Sequence, residues 1–181
     1  MHSHFLETHP FGSNYCSNCG TRTVVQVVPE EERERQVCPA CGAIHYANPK
    51  IVAGTLPIQQ GKIWLLRRAI EPRYGAWTFP AGFMEMGETV EQGAQRETRE
   101  ELGIKVELTR LLGVYSFEHS ATVHIVFVAR AIKDPIGGTE TLEYELFDLE
   151  AIPWEDLAFA STHAALRDYL ESPEAIPTGG R

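Results

Sequence analysis

A group of carboxylates near the middle of the chain has the chemistry of cation binding. Glu97, Glu100 and Glu101 would project within an arc of about 100° on an α-helix, so they would share one face. Like charges three and four residues apart destabilise an isolated helix, so the group requires either bulk water or a bound cation. Hard carboxylate oxygens suit Mg²⁺ or Mn²⁺. The spacing alone leaves two interpretations, a divalent-metal site and the solvated face of a glutamate-rich helix.

The surrounding residues favour the metal site, because their order matches a known motif. The matching positions are Gly82, then after five residues Glu88, then after seven residues Arg96-Glu97, and finally Glu100-Glu101 and Gly103-Ile104. This segment resembles the Nudix box, Gly-x5-Glu-x7-Arg-Glu-U-x-Glu-Glu-x-Gly-U, in which U is an apolar residue. Thr98 occupies the first U position. Since its methyl group can still pack, we expect a small local effect and no loss of function.

The resemblance extends over most of the chain. Four segments that extend beyond the box carry it together with four cysteines: YANPK (46–50), LLRR (65–68), GAWTFPAGF (75–83) and ELFDLEAIPW (145–154). These features are similar to the zinc-ribbon branch of Nudix hydrolases, and especially to plant-type FAD/ADP-ribose pyrophosphatases. The NADH pyrophosphatase branch has the same kind of ribbon, but its Ser-Gln-Pro-Trp-Pro-Phe-Pro signature has no counterpart in residues 114–131. This departure argues against an NADH or NAD-cap substrate and leaves it as an alternative.

The resemblance implies a metal-dependent hydrolysis. A water activated by a divalent cation would attack one phosphorus of a nucleoside diphosphate linked to another group, cleaving FAD to FMN and AMP, or ADP-ribose to AMP and ribose 5-phosphate. Carried over by position, Glu97 and Glu101 become the main ligands of Mg²⁺ or Mn²⁺. Glu100 becomes a ligand or the water-activating base, and a loop carbonyl near Gly82 becomes a further ligand.

Other charged residues of the same region receive supporting roles from the resemblance. Arg96 would hold the carboxylates in place by ion pairing, and Glu88 would bond the backbone or Arg96, with a role behind the metal ligands as the alternative. Many family members take one more catalytic carboxylate from a loop after the box. Glu140 and Glu143 are the candidates here, although seven acids without Lys or Arg between residues 140 and 156 could equally be a solvated acidic surface.

Four cysteines indicate a second metal site. They form two Cys-x2-Cys pairs, Cys16/Cys19 and Cys38/Cys41, separated by 18 residues, which is the spacing of a zinc ribbon. Four thiolates fill a tetrahedral Zn²⁺ site and leave no open position, so the zinc would be structural. A reducing compartment disfavours two disulfides, and the duplication of the pair disfavours a redox motif. We predict a zinc ribbon over residues 14–47, too small to bury a core without its metal.

A basic block complements the acidic box as a candidate phosphate contact. Residues 50–73 carry a net charge of +4. Arg67 and Arg68 lie on a predicted strand and point to opposite faces, so at most one of them faces a cleft, and we name Arg67 as a candidate. Arg73 is the preferred phosphate contact because a guanidinium matches phosphate in a bidentate manner, with an ordinary surface charge as the equal alternative.

Three aromatic residues follow this block and could stack on an adenine or isoalloxazine ring. They are Tyr74, Trp77 and Phe79. Large aromatic side chains usually fill cores, so packing competes with stacking for Trp77 and Phe79.

Periodicity and turn residues indicate the elements that position these groups. Strands are predicted over 23–28, 51–58, 62–68, 106–114, 123–132 and 143–149, with a solvated turn over 30–35 and a hairpin turn at 59–61. Thr89 with Gln92 can cap a helix that Gly103 ends, and a last helix begins near Ser161. The resemblance implies an α/β class, the α/β/α sandwich with a mixed sheet of Nudix proteins, over 48–171. We expect a flexible leader over 1–13 and a flexible tail over 172–181.

The composition excludes several classes of partner. Sixteen Lys and Arg residues against 25 Asp and Glu residues give a formal net charge of −9. Nucleic-acid backbones and anionic membrane surfaces are bound by clusters of Lys and Arg, so neither is expected as a partner. No stretch approaches the ~18 apolar residues of a membrane helix, and the first residues lack the features of a signal peptide. We expect a cytoplasmic protein that acts on a small nucleotide diphosphate.

Two further hypotheses concern assembly and class of function. By analogy with the family, the ribbon could support a homodimer. The chain could also be an adaptor with an inactive Nudix body, which the acidic charge and the complete box argue against. Hydrolysis of NADH or processing of RNA 5′ ends is the alternative closest to the first hypothesis.

Overall fold

The computed structural model describes residues 14–29, 31–118, 120–138 and 140–171. The predicted leader (1–13) and tail (172–181) lie outside the described residues. The chain divides into two compact units, Met1–Asn48 and Pro49–Arg181. No helix in the described part of the chain is long and apolar enough to cross a membrane.

The first unit is a small antiparallel sheet of three strands. The strands are β1 (Val24–Val28), β2 (Arg33–Val37) and β3 (Ile44–His45), in the order β1-β2-β3. The prediction of β1 is confirmed. The solvated turn predicted over 30–35 is wrong in its second half, because Arg33, Glu34 and Arg35 belong to β2 and pair with β1. A strand tolerates these charges because Arg33 and Glu34 are exposed and Arg35 forms an ion pair with Glu31 at 2.8 Å.

The described part of the second unit contains a mixed sheet of seven strands and two α-helices. The strands are β4 (Lys50–Gln59), β5 (Lys62–Arg68), β6 (Trp77–Thr78), β7 (Ala81–Phe83), β8 (Val106–Ser116), β9 (Thr122–Ala131) and β10 (Thr141–Phe147). The main path is β10-β5-β4-β9-β8, with β6 beside β5 and β7 beside β4. The pair β4–β9 is parallel and the others are antiparallel. The predicted hairpin between β4 and β5 is confirmed, with left-handed φ values of 52° at Gln60 and 79° at Gly61.

The two helices lie on opposite faces of this sheet. They are α1 (Val90–Leu102) and α2 (Ala160–Glu171). Alternate residues of β5 separate into two clusters: Ile63 and Leu65 pack in the cluster that contains Leu166 of α2, whereas Trp64 packs in the cluster that contains Leu102 of α1. Because side chains alternate across a strand, the sheet is covered on both faces. The predicted α/β/α sandwich with a mixed sheet is confirmed.

The ends of α1 fix the helix that carries the box. Thr89 accepts a hydrogen bond from the Gln92 backbone N–H at 3.3 Å, and the Thr89 backbone N–H donates to the Gln92 side chain at 2.8 Å. At the other end Gly103 adopts a left-handed φ of 72° and its N–H donates to the Arg99 carbonyl. The predicted helix with a capping box and a glycine end is confirmed. Its start and end determine which side chains of α1 share the face with the carboxylates.

Candidate functional site

A cavity of about 1170 Å³ in the second unit opens beside the carboxylate face of α1. Its walls come from α1, from β4 and β7, from the end of β5 and the loop after it, and from the start of α2. Described residues between β8 and β9, the first residues of β9, and Glu140 complete the lining. Glu97, Glu100 and Glu101 line it together, as their spacing on a helix predicted. A cavity of this size can hold a dinucleotide-sized ligand.

Arg96 is the centre of a hydrogen-bond network behind the carboxylates. Its Nε and one terminal nitrogen donate to the two carboxylate oxygens of Glu88, at 3.0 and 2.8 Å. The other terminal nitrogen donates to Glu97 at 2.6 Å and to Glu100 at 3.1 Å. The remaining N–H donates to the Phe83 carbonyl at 3.0 Å. All five donors of the guanidinium are used, so Arg96 joins the carboxylates and the carbonyl of Phe83 on β7 into one hydrogen-bonded group.

Glu88 closes the loop that precedes α1. Besides its pair with Arg96, its Oε1 accepts from the Glu85 backbone N–H at 2.7 Å. The hydrogen bonds from Arg96, followed by the one from Glu85, lower the pKa of Glu88 to about 2. The structure therefore shows the backbone and Arg96 contacts expected for Glu88 at this junction.

Glu101 and Glu97 are held against the backbone of β7. Glu101 is 9% exposed, and its Oε2 accepts from the Ala81 backbone N–H at 2.9 Å. Burial raises the pKa of Glu101 to about 8 and also raises the pKa of Glu97. The carboxyl group of Glu97 lies too close to Gly82 for a β-carbon at that position, so any other residue would displace it. The close approach of α1 and β7 thus explains why the box combines glycine at position 82 with glutamate at position 97.

The donor set fits a hard divalent cation. Three carboxylates meet one cavity, and the single arginine behind them does not neutralise them, so a cation would relieve their repulsion. Glu97, Glu100 and Glu101 would hold it; a carbonyl ligand near Gly82 stays a prediction, and Gly82 lines the same cavity. Their oxygens are now directed to Arg96 and to the Ala81 N–H. The oxygens of the three glutamates are therefore not gathered as closely as metal ligands: among the described residues, only the four cysteines form a group of three or more candidate ligands with all donor atoms within 4.8 Å of one another.

The four cysteines of the first unit form a cluster of thiols. The Sγ atoms of Cys16 and Cys41 are 3.7 Å apart, and the Sγ atom of Cys19 is 3.5 Å from Cys38 and 3.8 Å from Cys41. These separations exclude disulfides and match the edges of a tetrahedron with Zn–S bonds of about 2.3 Å. The pairs sit in equivalent turns, in which the N–H of Gly20 donates to Cys16 O and that of Gly42 donates to Cys38 O, both at 2.9 Å. The ribbon geometry fits Zn²⁺.

The two candidates for an additional catalytic carboxylate lie in different places. Glu140 lines the cavity, and its charge contributes to raising the pKa of Glu101, after burial. Glu143 pairs with Arg67 at 3.2 Å and is not among the lining residues. The register of β10 against β5 explains this difference, because Glu143 lies opposite Arg67 in the sheet.

The candidate phosphate contacts also differ from expectation. Arg67 shares the strand face of Ile63 and Leu65, donates to the Gly75 carbonyl at 2.7 Å and lies 5.7 Å from the Trp77 ring, outside the cavity lining. Arg68, on the other face of β5, lines the cavity instead. Arg73, with a left-handed φ of 66°, is also outside the lining. Strand alternation had predicted that at most one arginine of the pair faces the cleft, and the candidate named from the sequence was Arg67, whereas Arg68 lines the cavity.

The three aromatic residues predicted to stack on a base do not line the cavity. Trp77 and Phe79 are 6% and 1% exposed and pack in the core on the α2 side, so packing takes precedence over ligand contact. Tyr74 is 59% exposed on the loop after β5 and is also absent from the lining. The aromatic side chains that line the cavity are Phe83, Phe117 and Phe159. Sequence reasoning missed them; the position of Phe83 directly after Gly82 in the box was the available signal.

Comparisons with known proteins agree with this architecture. Residues 49–170 match the NUDIX domain family, and residues 14–47 match the Nudix N-terminal zinc-ribbon family. A solved structure described as a NUDIX hydrolase from Nitrosomonas europaea aligns with a TM-score of 0.83 and 42% identity, covering 88% of this chain and 91% of that one.

Two curated relatives differ in the activity that their names state. The ADP-ribose pyrophosphatase of Methanocaldococcus jannaschii is 34% identical over 130 residues, which are 69% of this chain and 75% of the relative. The NAD-capped RNA hydrolase NudC of Chromobacterium violaceum is 29% identical over 168 residues, which are 90% of this chain and 59% of the relative. The chain thus spans less than two thirds of the second relative's length. The family matches, the box on α1 and the four-cysteine cluster together show that the chain belongs to the Nudix hydrolase family, in the branch with an N-terminal zinc ribbon.

Proposed function

We propose that the protein hydrolyses the diphosphate bond of a nucleoside diphosphate linked to another moiety, with ADP-ribose or FAD as substrate. The observation that carries the proposal is the group Glu97, Glu100 and Glu101, fixed by Arg96 and β7 at the wall of a large cavity. The similarity to an ADP-ribose pyrophosphatase supports ADP-ribose. For FAD, support comes from the aromatic walls of the cavity, on which an isoalloxazine ring could stack.

The residues of the site have separable tasks in this reaction. When Mg²⁺ or Mn²⁺ is bound, it supplies charge neutralisation of the diphosphate and lowers the pKa of a bound water. Glu97 and Glu101 hold the cation, and Arg96 keeps Glu97 and Glu100 oriented. Glu100 has a half-exposed side chain that faces the cavity, so it can accept a proton from the attacking water. Zn²⁺ in the ribbon has a structural task, because four thiolates leave no position for substrate.

A product analysis tests the proposal. ADP-ribose, FAD, NADH and NAD-capped RNA are incubated separately with the protein and Mg²⁺ or Mn²⁺, and the products are separated by chromatography. We expect AMP and ribose 5-phosphate from ADP-ribose, and AMP and FMN from FAD. Glu100→Gln and Glu101→Gln should lose several orders of magnitude in rate, whereas Glu91→Gln, exposed on the same helix and outside the lining, should retain it. If both site variants hydrolyse the substrate at the wild-type rate, the site assignment is contradicted.

A second candidate function is hydrolysis of NADH or of an NAD cap on RNA. It is favoured by the similarity to NudC, which covers the ribbon as well as the Nudix unit. The same panel decides between the candidates, since NADH would yield NMNH and AMP. If no substrate of the panel is hydrolysed with either cation, the adaptor hypothesis is favoured. The homodimer stays a prediction, which light scattering at working concentration tests.

A further inference from the structure

The cavity contains one arginine whose terminal nitrogens are open to an anion, although its charge already acts on the carboxylate of Glu101. Among the described residues that line it, the arginines are Arg68 and Arg96. Every donor of Arg96 is taken by Glu88, Glu97, Glu100 or the Phe83 carbonyl. Arg96 therefore cannot bind substrate without releasing a carboxylate. Arg68 is therefore the lining arginine that an anionic group can bind.

Arg68 is held in a defined position with its terminal nitrogens open. Its Nε donates to the Pro72 carbonyl at 2.9 Å, and its guanidinium lies 5.0 Å from the centre of the Phe159 ring. The terminal nitrogens have no hydrogen-bond or ion-pair partner within the described part of the chain. A guanidinium fixed through Nε presents both terminal groups as a fork, the geometry that phosphate oxygens match.

The first turn of α2 faces the same part of the cavity. Phe159 precedes α2, and both Ala160 and Ser161 line the cavity. The carbonyl of Phe159 accepts from the His163 N–H, so the N–H groups of the residues between them have no partner within the helix. These N–H groups and the helix dipole favour an anion at this end.

Ser161 provides an independent indication of a ligand. The residue is only 3% exposed, it lines the cavity, and its hydroxyl makes no hydrogen bond to any described residue. Its oxygen is not among the buried polar atoms without a partner in the described residues, so it is accessible from the cavity, where a bound group can pair with it. Its place in the first turn of α2 puts that partner beside the open N–H groups.

We propose that Arg68, Ser161 and the first turn of α2 form a phosphate subsite, which holds the phosphoryl group of the substrate that the α1 carboxylates and their cation do not hold. The identity of the substrate in this inference rests on the proposed function. A diphosphate would then be held at two ends, by the carboxylates with their cation at one and by a guanidinium with backbone N–H groups at the other. The overall acidity of the cavity makes this arrangement necessary, because the phosphoryl group without the cation needs its own positive partner.

Calorimetric titration with AMP and with adenosine tests the subsite. The full chain is used after dialysis to remove Mg²⁺ and Mn²⁺, so that binding of the phosphate does not depend on a cation. Arg68→Met should weaken AMP binding about 10- to 100-fold, the effect of losing a charge-assisted bidentate contact, and leave adenosine binding unchanged. Arg68→Lys should fall between, and Ser161→Ala should weaken AMP binding several-fold. Arg130→Met, which removes a surface arginine paired with Glu107, should bind both ligands like the wild type.

Three results would overturn the subsite. The wild-type protein could fail to prefer AMP over adenosine, Arg68→Met could retain AMP affinity, or the variant could lose AMP and adenosine equally, as a structural defect would. If Arg68→Met does not fold, judged by its unfolding midpoint, Ser161→Ala carries the test. Hydrolysis of ADP-ribose is measured separately. If the wild-type protein hydrolyses ADP-ribose but Arg68→Met binds AMP normally, the subsite alone is overturned. If Arg68→Met weakens AMP binding but the wild-type protein hydrolyses no substrate, the proposed function alone is overturned.

Discussion

Gly82 of β7 lies directly against the carboxyl group of Glu97 of α1, in the space that a β-carbon would fill. The backbone of Gly82 does not require glycine, since its φ is not left-handed. The requirement comes from the approach of helix and strand. A carboxylate is thereby held beside the strand backbone, where a cation can meet both an acidic side chain and a carbonyl.

We expect Gly82→Ala to impair the site more than the fold. Glu97 is the flexible partner and can swing away, so the free energy of unfolding should change little. The displaced carboxylate should lower kcat/KM by about 100-fold, since errors of 1 Å in a site have effects of this size. Mn²⁺ titration followed by electron paramagnetic resonance should show weaker binding. On a Glu97→Ala background the same substitution should weaken Mn²⁺ binding no further, and an additive loss would contradict the contact as its cause.

The buried hydroxyl pair of Thr55 and Thr98 gives a prediction about stability. Their Oγ1 atoms are 2.7 Å apart, both residues are fully buried, and Thr98 also donates to the Ala94 carbonyl at 2.7 Å. Thr98→Val leaves the Thr55 hydroxyl without this partner and should lower the free energy of unfolding by about 1–3 kcal/mol. Urea unfolding followed by tryptophan fluorescence measures it. The double change Thr55→Val with Thr98→Val should recover most of the loss; equal losses would contradict the pair.

The elements that sequence reasoning predicted correctly are those with local signals. The capping box of Thr89 and the turn at Gln60 and Gly61 are set by a few neighbouring residues, and the phase of α1 follows from its caps. The choice between Arg67 and Arg68 is not local, because it depends on which face of β5 meets α1. Trp77 illustrates the same limit: its residue type suits a ligand and a core equally, and the packing of α2 on the sheet decides.

The lowered pKa of Glu88 predicts how the free energy of unfolding depends on pH. The hydrogen bonds from Arg96 lower its pKa to about 2 from an ordinary glutamate value of about 4.3. A lowered pKa contributes stability that is present above pH ~4.3 and is lost as the pH falls towards about 2. The difference in unfolding free energy between wild type and Glu88→Gln should therefore be largest near neutral pH and shrink in this range. Glu91→Gln controls for the loss of a charge on α1, and a pH-independent difference for Glu88→Gln would contradict the prediction.

Removal of the ribbon metal should act on the first unit. We expect one Zn²⁺ per chain by elemental analysis, and less than this in Cys16→Ser and Cys38→Ser, the two variants of buried cysteines. Hydrogen exchange of residues 14–47 should accelerate in both variants, because a ribbon of this size depends on its metal for folding. Ser17→Ala, in the same turn, is the matched control and should retain zinc. Full zinc content in the cysteine variants would contradict a four-thiolate site.

Glu140 is a carboxylate outside α1 that lines the cavity and whose charge acts on Glu101. It directly precedes β10, and its backbone carbonyl accepts from the Ala69 N–H at 2.9 Å. This placement suits a group that orients water or a second cation, so we expect Glu140→Gln to lower kcat by at least about 10-fold, with a smaller change in KM. Glu145→Gln, exposed on the same strand and outside the lining, is the matched control. If the two variants have equal kcat, the charge at position 140 acts only as part of an acidic surface, and the catalytic carboxylates are those of α1 alone.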